Sequence, residues 1–266
     1  MAGGSLGALF GSEISKRFAS SFNDFGLELF CLSATILLSL AMITGRYLTT
    51  KAENNQKDKN VGGSGLDGIK NVIKVSEIRS IAIYVWIWTG LMTVHWMTAI
   101  TIIDGWSQDP EERIVFFSLL EQIVTPLTLI MQLFLTNIFI KYLGVKKILM
   151  TYGLLFMLVF VLYGTMPSIT IVAVATVTLR LFEYGLNKPT RETVYSTLAK
   201  NDRYKSSVFI DTFVSRLGDL SGSSFIGLGK FFSVGFSTMP LIAIPIAGVL
   251  SLAGLKISKN ERLKDF

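Results

Sequence analysis

Apolar runs close to 20 residues long recur along this chain, and about 20 residues is the length that crosses roughly 30 Å of hydrocarbon. Half of the 266 residues are hydrophobic and only 17% are charged, with a mean hydropathy of +0.52. Soluble domains carry about 25% charged residues and bury their apolar runs in shorter pieces. Inside a bilayer each backbone polar group must find its partner within the segment, so such runs fold as helices. The expected fold class is an all-α, polytopic membrane helical bundle, with the lipid bilayer as its first partner.

Composition also removes several function classes. The net charge of +6 lies between apolar segments rather than on one soluble face, so nucleic acid is not an expected partner. One cysteine, Cys31, and one histidine, His95, exclude an internal disulfide and any metal site built from several of either. No cofactor is expected: the chain lacks a P-loop. A Ser/His/Asp arrangement drawn from His95 lacks the nucleophile elbow, so no enzyme and no catalytic residue is expected. The N-terminus does not resemble a cleaved signal peptide.

A window count gives eight candidate spans, near 2–21, 25–45, 79–103, 115–140, 147–166, 168–187, 206–230 and 237–255. The first is the weakest, because it contains Glu13, Lys16 and Arg17, and a surface amphipathic helix is the alternative. Its Gly3, Gly7 and Gly11 repeat at a spacing that suits close helix approach. Residues 46–78 read as a polar, Lys-rich connector that regains helix near Ile69–Val75. The loops alternate in charge. Basic residues crowd 46–79, 141–147, 188–205 and the tail, while the loop at 104–113 is acidic and that at Met166–Pro167 carries no cation. Lys and Arg concentrate on the cytoplasmic side, which places the connector and the C-terminus inward. Trp86, Trp88 and Trp106 suit the water interface as helix anchors, with ligand stacking as the alternative.

An ionisable group within a span costs roughly 2.5–3.5 kcal/mol on insertion scales, so it faces a partner or a wet cavity. Arg180 and Glu183 are three residues apart, as are Arg216 and Asp219, and each pair can share a helix face. Asp211 lies two turns before Asp219 on the same face. Gly218 and Gly222 form a GxxxG step beside them, marking close packing or a sliding interface. On 115–140, Glu121, Thr125 and Gln132 form a polar stripe around Pro126, either a cavity wall or interhelical glue. His95 reads as a neutral, hydrogen-bonded core histidine or as a ligand contact or proton relay. The candidate pathway or gating residues are thus His95, Glu121, Gln132, Arg180, Glu183, Lys205, Asp211, Arg216 and Asp219.

The stretch NKPTRETVYSTLAKNDRYKSSVFIDTFVSRLGD at 187–219 resembles a segment of the nucleotide (ATP/ADP) translocases of intracellular bacteria and plastids, and more closely their bacterial relatives in the major facilitator superfamily. The matching positions are Asn187, Pro189, Arg191, Glu192, Tyr195, Arg203, Tyr204, Lys205, Ile210, Asp211, Arg216, Gly218 and Asp219. The loop LTNIFIKYLGVKK at 135–147 is weakly similar to the superfamily's helix-joining signature, with Lys141 in place of the usual Asp. The resemblance implies a partial bundle of about eight of twelve helices. Residues 1–45 would be the last two helices of an N-terminal half, 46–78 the central cytoplasmic connector, 79–256 the six-helix C-terminal half and 257–266 a cytoplasmic tail. Four N-terminal helices are then expected from a longer reading frame or from a separate polypeptide.

Two functions follow as expectations. The first is a secondary active transporter, or a fragment of one, in a bacterial inner membrane. It would move a small polar, anionic solute, with a nucleotide among the candidates and protons as a coupling ion. In that reading Arg216 and Lys205 attract negative charge while Asp211, Asp219 and Glu121 pair with them or carry protons. The second is a non-transporting scaffold or partner subunit, working as a homo-oligomer or with a separate N-terminal half.

Overall fold

A computed structural model describes residues 2–21, 26–53, 67–196 and 200–257. The described residues are almost all helical, and none of them forms a strand. In order they form α1 (Ala2–Ser21), α2 (Gly26–Glu53), α3 (Asp67–Lys74), α4 (Ser76–Trp106), α5 (Pro110–Ile130) and α6 (Thr136–Thr165). There follow α7 (Ile169–Phe182), α8 (Lys188–Ser196), α9 (Lys200–Phe209), α10 (Ser215–Phe231) and α11 (Thr238–Ile257). Three π-helical turns, Met131–Leu135, Glu183–Asn187 and Ile210–Val214, join α5 to α6, α7 to α8 and α9 to α10.

Among the described residues, five helical stretches are long and apolar enough to cross a membrane: Cys31–Thr50, Ser76–Trp106, Pro110–Thr165, Ile169–Ser196 and Thr238–Ile257. This is an integral membrane protein. The expected spans at 115–140 and 147–166 fall in one 56-residue helical run, about 84 Å at 1.5 Å per residue, far more than one bilayer. Gly144 divides it, with φ 72° and ψ 162° inside the run. That backbone region is essentially closed to residues with a side chain. The glycine therefore makes the turn between two legs, each long enough to span. The expected spans at 2–21 and 206–230 are helical but not among the five: α1 carries Glu13, Lys16 and Arg17, and α10 carries Arg216, Asp219 and many small residues. The 46–78 connector begins later than expected, because α2 runs on to Glu53; it regains helix over Asp67–Lys74. The centre of the connector at 54–66, expected to be a flexible linker, and the tail at 258–266 lie outside the described residues.

The chain divides into two compact units. One holds 1–63 with 109–122. Here Glu13 pairs with Arg17 at 2.8 Å and accepts a hydrogen bond from Gln122 Nε2 at 2.6 Å, so a charged helix is tied to the middle of α5. Gly7 and Gly11 meet no atom within 4 Å of a built Cβ, so the expected close helix approach is absent at those two glycines.

The other unit holds 64–108 and 123–266. Its core is aromatic and aliphatic, with Tyr84, Tyr152, Tyr163, Phe156, Phe160 and Leu149 almost fully buried. Residue pairs give the helix directions. Tyr84 meets Leu149, Trp88 meets Tyr152 and His95 meets Tyr163, so α4 runs parallel to the second leg of α6. Gly218 abuts Thr89 and Gly222 abuts the Gly90 carbonyl, so α10 is also parallel to α4. Asn187 meets Tyr84 while Thr176 meets His95, making α7 antiparallel to α4. Leu149 faces Gly254 and Leu241 faces Gly164, making α11 antiparallel to α6. From the second leg of α6 onward, α6, α7, α10 and α11 thus alternate in direction. One end of this unit gathers Lys70, Lys74, Lys146, Lys147, Lys188, Arg203, Lys205 and Lys256; among the described residues the other end carries Asp104 and Lys230.

The α4–α10 crossing depends on missing side chains. A Cβ at Gly222 would overlap the Gly90 carbonyl oxygen and come within 2.8 Å of Thr93 Cβ. In hydrocarbon, where burial of apolar area gives little net drive, such close backbone approach supplies the packing that holds helices together. The GxxxG expectation of close packing is met here.

Candidate functional site: a buried ion pair on π turns

The first π turn follows a proline. Pro126 withholds one backbone donor and loosens the ladder just before Met131–Leu135. A π turn leaves carbonyls partly unpaired, and side chains take them up. Thr136 Oγ1 donates to the Gly185 carbonyl at 2.6 Å, and Gln132 Nε2 donates to the Tyr184 carbonyl at 2.9 Å. Two irregular turns on neighbouring helices therefore satisfy each other. Gln132 serves here as interhelical glue. Single π turns occur mainly at functional sites.

The turn at 183–187 carries the centre of the site. Glu183 is 4% exposed and Arg191 is 5% exposed. Arg191 Nη2 donates to Glu183 Oε1 at 2.8 Å, and Asn187 Nδ2 donates to the other carboxylate oxygen. Asn187 is itself oriented by the Tyr84 hydroxyl, which reaches its Oδ1 at 2.9 Å. The guanidinium carbon lies 4.7 Å from the Trp88 ring centroid, a cation–π contact worth about 2 kcal/mol once water is excluded. Trp88 Nε1 donates to the Tyr152 hydroxyl at 3.1 Å, and Tyr152 lies 3.3 Å from the Leu179 carbonyl. Arg191 is thus held from one side by an acid and from another by an aromatic face.

A second carboxylate reaches the same cation. Asp211 Oδ1, on the third π turn, is 3.9 Å from Arg191 Nη1, and its side chain is half-exposed. Arg191 Nε and the Tyr195 hydroxyl are buried without a hydrogen-bond partner among the described residues. The cation is therefore surrounded but not saturated.

The other expected site residues distribute around this centre. Glu183 is partnered by Arg191 and Asn187 rather than by Arg180, which corrects the expected i,i+3 pair; Arg180 instead lies 5.8 Å from the Tyr184 ring centroid. The π turn rotates the residues that follow it, so proximity in sequence misdirects the pairing. Asp211 and Asp219 have different partners: Asp211 lies near Arg191, while Asp219 lies 3.0 Å from Arg216 Nη1 and 3.1 Å from Thr93 Oγ1. Lys205 stands on α9 where that helix meets α3, apart from Arg216. His95 is fully buried, with Tyr163 at 3.0 Å from Nδ1 and Thr176 at 3.4 Å from Nε2, so it staples three helices. Glu121 is half-buried on α5 and belongs to the unit that contains α1, whereas Gln132 belongs to the larger unit.

Sequence reading missed Arg191 and Trp88 as site residues. Arg191 was counted among the cations of a loop, yet it is buried in a helix; Trp88 was assigned to the water interface, yet its ring lies against that cation. The sequence around it, from Lys188 through Thr190 to Glu192 and Thr193, is polar and carries no local sign that Arg191 is buried. An apolar cleft of about 200 Å³ lies beside the α4–α10 crossing, lined by Trp86, Leu91, Val94, Phe225 and Ile246 among others. None of the expected site residues lines it. Comparison with family models, curated proteins and solved structures gives no match for this chain.

Proposed function

We propose that this chain is a secondary active membrane transporter, or a large part of one, moving a small anionic solute by alternating access. The observation that carries this reading is the buried Glu183–Arg191 pair on a π turn, with Asp211 within 3.9 Å of the same guanidinium. A buried ion pair is a poor way to gain stability, because apolar replacements of similar volume are often equal or better. One cation between two carboxylates on different helices can exchange partners when those helices shift. Transporters place irregular helix turns at such points.

In this reading the architecture is major-facilitator-like. Residues 79–256 form the six-helix C-terminal half, 46–78 the connector and 1–45 part of the preceding half. The alternating helix directions and the gathering of Lys and Arg at one end support it, with that end and the C-terminus cytoplasmic in a bacterial inner membrane. Nucleotides belong on the substrate panel because of the resemblance at 187–219.

Proteoliposome uptake tests the reading. Labelled ATP, ADP and a panel of small anions are offered with and without a proton gradient, to the wild-type chain and to Arg191→Gln. Saturable uptake of one anion, lost in Arg191→Gln protein that inserts at normal levels, is the expected result. Absence of uptake across the panel, both for this chain alone and when joined to or co-reconstituted with an N-terminal half, would end the transporter reading.

One observation favours a scaffold or partner subunit instead. Within Cys31–Thr50 no residue is buried, and Leu38, Met42, Ile43 and Leu48 are each more than 60% exposed around the helix. A helix apolar on every side is covered by lipid or by another polypeptide.

A further inference from the structure

We infer that the paired short helices α3 and α9 form a docking platform for anionic phospholipid headgroups at the membrane surface. The position comes first. Val75, in extended conformation with φ −97° and ψ 115°, is the single residue between α3 and the 31-residue apolar α4. A helix joined so tightly to the start of a span lies at the boundary between hydrocarbon and water. Asparagine and glycine fix it there: Asn71 Nδ2 donates to Ser206 Oγ at 3.3 Å, and a Cβ at Gly68 would lie 2.9 Å from the Lys205 carbonyl oxygen.

The chemistry of the exposed surface comes second. On α3, Ile69 and Ile73 are i,i+4 neighbours exposed by 39% and 64%, while Lys70 and Lys74 form the adjacent exposed row. On α9, Tyr204 is 61% and Val208 45% exposed, again i,i+4, beside the exposed Arg203. Apolar side chains with a lysine row on the flank are the pattern of a helix lying in the headgroup plane. Buried aliphatic positions would be the economical choice for a platform facing only water. Charge complementarity selects the occupant. Across 67–79 and 200–209 the sequence carries six Lys or Arg (Lys70, Lys74, Arg79, Lys200, Arg203, Lys205) against three acids (Asp67, Glu77, Asp202). Arg203 has Glu192 at 3.9 Å, and Arg79 donates to the Ile73 carbonyl at 3.2 Å, so these two are partly engaged already. Lys74, at the exposed end of α3, offers its ammonium at the surface. The combination fits a lipid that presents phosphate above and an acyl chain below; a free phosphate makes no use of Ile73, Tyr204 and Val208.

The test uses the full chain purified in detergent. An equimolar mixture of phosphatidylglycerol and phosphatidylcholine is added, and retained lipid is counted by native mass spectrometry. Wild type is expected to retain phosphatidylglycerol at least about three-fold over phosphatidylcholine. Each juxtamembrane cation supplies attraction equivalent to about a five-fold change in affinity, so Lys70→Gln/Lys74→Gln/Arg203→Gln is expected to lower retention about ten-fold or more. The single change Lys74→Gln, at an exposed helix end, gives the smaller loss and guards against misfolding of the triple variant. A second arm measures thermal unfolding with phosphatidylglycerol, phosphatidylcholine or sodium phosphate. Stabilisation by phosphatidylglycerol alone supports the platform. Equal retention of both lipids, full retention by folded Lys74→Gln and triple variants, or equal stabilisation by sodium phosphate would each overturn it.

Discussion

Two of the acid–arginine pairs in the larger unit, Arg216–Asp219 and Glu183–Arg191, differ in nearly every respect. Arg216 and Asp219 are three residues apart, 3.0 Å in contact, with the arginine side chain 83% exposed. Glu183 and Arg191 are eight apart, 2.8 Å in contact, and both almost fully buried. Local helix geometry makes the first pair, since i,i+3 side chains are neighbours on any regular turn. Tertiary structure makes the second: a π turn, an asparagine bridge and a tryptophan face bring together residues that a regular helix would leave about two turns apart. The comparison separates a pair that is free to respond to its surroundings from one on which the packing itself depends.

The largest expected effect is at the buried pair. Arg191→Met removes the cation and leaves the Glu183 carboxylate without its charged partner in an apolar interior. Such half-removal costs about 3–5 kcal/mol. Glu183→Leu/Arg191→Met removes both charges, and at least half of that loss is expected to return. Unfolding titrations in mixed micelles would measure both variants. A double variant no better than the single one would show that Glu183 and Arg191 are not energetically coupled, and the contrast with Arg216–Asp219 would then dissolve.

A middle-sized effect sharpens the contrast from the packing side. Gly222→Val drives a branched side chain into the Gly90 carbonyl and Thr93, where backbone on both sides limits relaxation. Overpacking of this kind costs about 1–3 kcal/mol. Asp219 is held by Thr93 from that same crossing, so its contact with Thr93 is also expected to loosen, which cross-linking of a Thr93→Cys/Asp219→Cys pair would detect as reduced yield in the Gly222→Val background. Unchanged stability would show that the α4–α10 approach is looser than the geometry implies.

Gly144→Ala has a smaller effect with a different origin. Open space surrounds a Cβ there, so the strain is purely conformational, at φ 72° and ψ 162°. A cost of about 1–2 kcal/mol is expected, and the same unfolding titration would read it. If alanine is tolerated without loss, the turn between the two legs of the 110–165 run is made elsewhere.

These contrasts explain what was legible in the sequence. Long apolar runs announce membrane helices through composition alone, which is why Ser76–Trp106 and Thr238–Ile257 fall within three residues of the spans read at 79–103 and 237–255. The Gly218/Gly222 step was equally plain, because small residues four apart have one obvious use in a membrane helix. Glu183 was singled out correctly as a buried charge, but its partner was sought at helical spacing. Nothing in the local pattern marks a π turn, and one extra residue per turn redirects every side chain beyond it. Arg191 and Trp88 were hidden for that reason: their meeting is set by how α4 packs on the helix carrying Glu183, over 100 residues away in the chain.

The smallest effect on stability is expected at Arg216→Ala and Asp219→Ala, and it carries the functional half of the comparison. Exposed pairs contribute about 0–1 kcal/mol, so both variants are expected to unfold within about 1 kcal/mol of wild type. A charged pair kept on α10 without stabilising it would serve something other than folding. In the transporter reading that service is to the solute or to the moving crossing at Gly218 and Gly222. Uptake by either variant is therefore expected to fall about ten-fold at normal membrane levels while the unfolding midpoint stays in place. Full uptake by both would leave Arg216 and Asp219 as a solvated pair with no part in transport. A large loss of stability instead would mean that the pair belongs with Glu183 and Arg191 as part of the packing.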